Sequence, residues 1–177
     1  MTFTPAPSGS RSGAITITDN ASDSPESVSL TGTGTAPAVG VTPTSVAFGN
    51  QQVGTSSAPQ AVTLTDTGSA PLSLTGIAVT GANSGDFAQT NNCGALVAPA
   101  ASCTINVTFT PTASGARAAT LTFSDNATGS LQTISLTGAG TAAAASFTPT
   151  SIAFGNQQLN SSSAAQVVTL SNTGSAR

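Results

Sequence analysis

An internal repeat constrains this chain more than any other feature. Residues 46–52 read VAFGNQQ and residues 152–158 read IAFGNQQ, 106 positions later. The string TFTP at 2–5 returns at 108–111, and LTGTGTA at 30–36 returns as LTGAGTA at 136–142, at the same spacing of 106. Shifted by 106, residues 1–71 align with residues 107–177 without a gap, and 41 of the 71 pairs are identical. A match of that length is a repeat, and it sets the domain reading. The Gly-Thr-Gly box at 32–34 and the Gly-Ala-Gly box at 138–140 precede Ala-rich stretches, which is how a linker between units reads. One complete unit therefore spans 39–141. Residues 1–38 read as the C-terminal part of a preceding repeat, and residues 142–177 as the N-terminal part of a following one. The counterpart of 72–106 occurs only once. Two readings fit: a stretch of a longer array, or a subunit whose end pairs with the start of the next in a head-to-tail polymer.

Apolar alternation makes the unit all-β. Cys103, Ile105, Val107 and Phe109 alternate with Thr104, Asn106, Thr108 and Thr110. That period of two is a strand with one buried face. Val62 and Leu64, Leu121 and Phe123, and Ile134 and Leu136 alternate with Thr and Ser in the same way, and Val46 with Phe48 gives a shorter run. Leu72, Leu74, Ile77 and Val79 add one or two strands, with Gly76 as a bend or bulge. Turn signals separate these runs at Asp66–Gly68, Asn83–Gly85, Pro111–Gly115 and Asp125–Asn126. No helical period is visible. Seven or so short strands in about 100 residues predict an immunoglobulin-like antiparallel β-sandwich, in tandem repeats of 106 residues.

Composition excludes several functions. Charged residues are 5% of the chain, with three Arg, six Asp or Glu and no Lys or His. Three Arg (Arg11, Arg117 and Arg177) make no basic patch, so nucleic acid is not an expected partner. Without His or Lys, a Ser, Thr or Cys nucleophile lacks its usual base, and no enzyme is expected. Without His, and with two Cys, no transition-metal site or metal cofactor is expected. No run approaches the roughly 20 apolar residues of a membrane helix. The start, Met-Thr-Phe-Thr-Pro, has no signal-peptide character.

Cys93 and Cys103 are the only cysteines and lie ten residues apart around a hairpin-like connection. Two buried thiols or half of a metal site are the alternative readings, but no other soft ligand exists. A disulfide is the expectation, closing a loop for about 2.5–3 kcal/mol in the chain-entropy model. It implies an oxidising compartment. Other candidate sites read as structure. Asp19-Asn20 and Asp125-Asn126 share one repeat position and read as turns. Asp23 and Glu26 are the only clustered acids, too few for calcium. Asp66 and Asp86 lack the aromatic surroundings of a glycosidase pair. Four Asn-X-Ser/Thr sequons start at Asn20, Asn106, Asn126 and Asn160, an expected frequency in so Ser/Thr-rich a chain.

The pattern Cys93-Gly…Leu96…Pro99…Ser102-Cys103-Thr-Ile…Val107-Thr-Phe-Thr-Pro111…Gly115…Asp125-Asn-Ala…Leu136-Thr-Gly138…Gly140 resembles the bacterial choice-of-anchor D repeats. These belong with the ASH (abnormal-spindle and hydin-type) immunoglobulin-like domains. Phe48-Gly49, Val53-Gly54 and the run from Val62 to Gly68 resemble the family's first half. The resemblance implies a non-catalytic structural repeat of the bacterial cell surface or extracellular space, without cofactor; the split end units and the uncharged Thr and Ser faces make copies of itself the expected partners. The alternative it allows is an adhesin or stalk module presenting a ligand-binding surface. Eukaryotic relatives act in cilia and centrosomes; the missing Lys sets this chain apart from them.

Overall fold

The structure is a computed structural model that describes residues 1–176; Arg177, the last residue of the 142–177 segment, lies outside the described residues. The strands run β1 (Gly9–Ile17), β2 (Glu26–Gly34), β3 (Val39–Thr42), β4 (Ser45–Gln52), β5 (Gln60–Asp66), β6 (Leu72–Thr80), β7 (Phe87–Asn91), β8 (Leu96–Val97), β9 (Ser102–Phe109), β10 (Gly115–Asp125), β11 (Gln132–Thr141), β12 (Ala145–Thr148) and β13 (Thr169–Asn172). One 3₁₀ turn, Ser84–Asp86, precedes β7, and the described residues contain no α-helix.

Residues 39–141 form a two-sheet sandwich. A five-stranded sheet, β4-β11-β10-β6-β8, faces a four-stranded one, β3-β5-β9-β7. The alternating apolar positions point between the sheets. Ile105, Val107, Phe109, Val62, Leu64, Leu121, Phe123 and Leu136 have no exposed surface. The outward positions are Thr and Ser, so each strand presents one dry and one wet face. The ladder slips by one residue where Ser124 pairs Gly76 and Asp125 pairs Leu74, a bulge beside the glycine.

One pairing departs from an antiparallel sandwich: β4 runs parallel to β11. The chain enters in one sheet as β3, paired with β5, and then crosses to the edge of the other sheet as β4. Pro43 sits at the crossing, where a residue without an N–H breaks one ladder before the next begins. The first strand is thus shared between both sheets.

The two glycine boxes are not linkers. Gly32 and Gly34 lie inside β2, and Gly138 and Gly140 inside β11. A Cβ at Gly138 would stand 2.5 Å from the Phe109 ring, and one at Gly32 would stand 2.7 Å from the Phe3 ring. The glycines make room for a phenylalanine lying across the strand. The joints are shorter than the boxes suggest. At 36–38, Ala36 O accepts from Ser69 N at 2.9 Å, Ala38 O from Thr67 N at 2.8 Å, and Ala36 N donates to Ser69 Oγ at 3.2 Å. At 142–144 the same bonds recur: Ser175 N to Ala142 O at 2.9 Å, Thr173 N to Ala144 O at 2.9 Å, and Ala142 N to Ser175 Oγ at 3.0 Å.

Outside the sandwich, β1 and β2 form a two-stranded hairpin, and β12 and β13 form another two-stranded sheet. By the 106-residue shift, β1–β2 corresponds to β10–β11, and β12 and β13 correspond to β3 and β5. Residues 151–158, which correspond to β4, form no strand.

Candidate functional site

Of the polar groups that sequence reading singles out, Asp19, Asp66, Asp86, Asp125 and Asn126 are committed to structure. Asp66 is fully buried and caps a turn, accepting from Gly68 N at 2.8 Å and Leu72 N at 3.1 Å. Asp86 is also buried, but it faces a different set of donors: Arg117 Nε, Thr112 N at 3.1 Å and Thr112 Oγ1 at 2.7 Å. The two carboxylates therefore share no donor. The Arg117 hydrogen bond holds the Asp86 carboxyl below its ordinary range against the opposing effect of burial, and Thr112 adds to it. This ion pair is not legible in spacing, because Asp86 and Arg117 are 31 residues apart. Its one trace in the sequence is an Arg recurring at 11 and 117 in a chain almost free of charge.

Equivalent Asx turns form at Asp19 and Asp125, 106 residues apart. Asp19 Oδ1 accepts from Ala21 N at 2.8 Å, and Asp125 Oδ1 from Ala127 N at 2.8 Å. In the sandwich Asn126 Oδ1 additionally accepts from Ser73 N at 2.8 Å, tying the turn to β6. The sequon residues Asn20, Asn106, Asn126 and Asn160 are all exposed. Asp23 and Glu26 do not form a metal cluster, and among the described residues no group of three or more His, Cys, Asp or Glu gathers around one point. Cys93 and Cys103 are joined in a disulfide, with Cα atoms 5.0 Å apart. Cys103 is on β9, and the bridge fastens the β7–β9 connection to the core edge.

The surface that stands out is apolar and lies outside the sandwich. Among the described residues, the exposed large apolar side chains are Leu96 and Leu131 in the unit, and otherwise all fall in the flanking segments. Phe3, Ile17 and Val28 lie on the N-terminal side; Phe147, Phe154, Val168 and Leu170 on the C-terminal side. The counterparts of Phe3, Ile17, Val28, Val168 and Leu170 are core: Phe109, Phe123, Ile134, Val62 and Leu64 are at most 1% exposed, whereas Phe3 is 55% and Leu170 63% exposed; those of Phe147 and Phe154, Val41 and Phe48, are half-buried against that core. Phe48, the counterpart of Phe154, completes an aromatic cluster, 5.7 Å from Phe109 and 5.9 Å from Phe87 between ring centroids. Beside Phe3, Leu30 and Gly32, an open cleft of about 390 Å³ separates the N-terminal segment from the hairpin. Charge on the N-terminal hairpin strands is limited to Arg11, whose guanidinium donates to Ser8 O at 3.2 Å, and Glu26, which pairs opposite Ile17.

The family described as Cep192 domain 4 matches residues 36–141, the sandwich together with the joint before it. The chain belongs to that family. Its Cep192 domain 4 unit is an ASH-type immunoglobulin-like domain, a non-catalytic structural or interaction module. A crystal structure of a protein of unknown function from Porphyromonas gingivalis W83 is similar over 76% of this chain and 67% of its own, at 13% identity and a TM-score of 0.51. That likeness shows the fold. The ASH / PapD-like domain of human CEP192 (PapD-like domain 7) is similar at 16% identity and a TM-score of 0.44, over 58% of this chain and 84% of its own. The secreted serine protease VesC from Vibrio cholerae is similar at 21% identity and a TM-score of 0.44, over 55% of this chain and 22% of its own. No curated protein matches the chain. Among the described residues no helix is long and apolar enough to cross a membrane.

Proposed function

We propose that the chain is a structural repeat protein of the bacterial cell surface or extracellular space, whose units associate with further copies of the same repeat, head to tail. The observation that carries this reading is the concentration of exposed apolar side chains in the flanking segments, where Phe3, Ile17, Val28, Val168 and Leu170 occupy positions that are core in residues 39–141. Apolar faces of this kind mark association surfaces. The disulfide supports an oxidising compartment. The resemblance to bacterial choice-of-anchor D repeats supports the bacterial setting. The near-absence of charge supports packing against like surfaces, since no ion has to leave water. The absence of Lys leaves strand edges without the side chain that most often keeps them apart.

Self-association without added ligand tests this reading. Sedimentation of the 177-residue chain over a hundredfold concentration range, with electron microscopy of the same samples, is the experiment. Oligomers or fibres that grow with concentration are the expected result. A monomer at every concentration would overturn the reading.

A further inference from the structure

We infer that residues 151–163 of one copy dock on residues 1–35 of a second copy, with residues 151–158 adding as a parallel strand to the free edge of β2. This rests on the self-association reading above and specifies its contact. The chain contains its own template. In the sandwich, β4 runs parallel to β11 with Leu136 opposite Val46, Thr137 opposite Ala47 and Ala139 opposite Asn50. The segment that follows is tied down by three backbone bonds: Val53 N to Thr141 O at 2.9 Å, Gly54 N to Pro111 O at 2.9 Å and Ser57 N to Phe109 O at 2.8 Å. Each of these residues has a counterpart, and the counterparts lie in the two flanking segments: Leu159 with Thr35, Asn160 with Pro5 and Ser163 with Phe3. The contact thus needs nothing from the 72–106 region, which the chain holds only once.

Both sides already have the docked geometry. On the receptor, Phe3 lies over Gly32 as Phe109 lies over Gly138, and Pro5 packs against Gly34 as Pro111 packs against Gly140. On the donor, Gly155 has φ 66 where Gly49 has φ 68, and Asn160 has φ 62 where Gly54 has φ 79. A positive φ is uncommon for a residue with a side chain, and Asn is among those that tolerate it. Ser161 N and Oγ bond Gln158 O at 3.0 and 2.7 Å, as Thr55 N and Oγ1 bond Gln52 O at 3.0 and 2.8 Å. A loop held in its bound shape loses little freedom on docking. The edges also suit each other: residues 29–35 and 151–158 carry no charged side chain, so pairing desolvates no ion. Strand addition supplies main-chain bonds, and alternate side chains set the register. Phe154 enters the cleft beside Phe3, and Ile152 lies opposite Leu30.

Cross-linking in register tests the contact. Thr31 and Ala153 are exposed and stand opposite each other in the inferred pairing, as Thr137 stands opposite Ala47. Single variants Thr31→Cys and Ala153→Cys are mixed and oxidised, with Thr31→Cys and Asn156→Cys as the off-register pair. The expected result is a disulfide dimer from the first mixture, formed at least tenfold faster than from the second. Phe154→Asp should weaken association at least tenfold, whereas Leu131→Asp, exposed in the sandwich, should leave it unchanged. Association that persists with equal cross-linking in both mixtures, or with Phe154→Asp, keeps the self-association reading and overturns the strand pairing. A Thr31→Cys, Ala153→Cys double variant that closes within a single monomer also overturns it. Loss of all association in the unmodified chain removes the reading itself.

Discussion

Ser45–Gln52 and residues 151–158 have nearly the same sequence and different structures. The first is a strand with Val46 buried; the second forms no strand and leaves Phe154 54% exposed. The residues differ only at 46, where Val stands against Ile at 152, and that exchange keeps strand propensity. What differs is the neighbour. β4 has β11 beside it and Phe109 beneath Phe48; residues 151–158 have neither. An edge strand in this fold is made by its partner, because a single extended segment cannot bury a face or satisfy its backbone alone.

The largest test of that contrast is a pair of truncations. Phe109→Ala should destabilise the sandwich by about 3–5 kcal/mol, the usual cost of removing a buried aromatic ring. Phe3→Ala, at the equivalent position, should change thermal unfolding of the same sandwich little. Equal effects would mean that the flanking hairpin is part of the unit's core. The disulfide comes next. Replacing Cys93 and Cys103 by Ser should cost about 2.5–3 kcal/mol in denaturant unfolding. The flanking segments carry no counterpart of the bridge, so hydrogen exchange in β1–β2 should not respond.

Asp86→Asn should cost about 1–3 kcal/mol at neutral pH by leaving Arg117 without its charged partner. The pH dependence has a definite sign. The folded carboxyl titrates below its ordinary value, so its contribution is complete above the unfolded pKa of about 3.9. It is lost as the pH falls through the lower folded value. Wild type and variant should therefore converge in acid, and a gap that widened there would refute the ion pair. The smallest effect is at the Asx turns. Asn126→Ala should cost about 1 kcal/mol through the lost bond to Ser73 N. Asn20→Ala, where no side-chain bond of that kind is formed, should cost nothing measurable in the same unfolding assay.

The sandwich strands were legible because their alternation is local. Cys103 to Phe109 announces its buried face in seven residues, and the bulge at Gly76 is marked by the glycine itself. The β4–β11 pairing was not legible: β4 has a short alternation, and its partner lies about ninety residues away. The glycine boxes misled for a related reason. Glycine usually punctuates strands, but here it clears space for a ring arriving from another strand, Phe109 over Gly138. Asp86 and Arg117 likewise meet only through the fold. In the flanking segments, the local pattern of 151–158 predicts a strand, and only the absent neighbour explains why none forms.

The joints at 36–38 and 142–144 have a mechanical meaning. Three residues bonded along one side to the turn between β5 and β6, or to its counterpart after β13, leave little slack for a hinge. Only Thr35–Ala38 separate the end of β2 from the start of β3, so load carried by β2 would pass almost directly into β3. In an array of the kind proposed above, joints bracketed in this way would resist bending as a rod does.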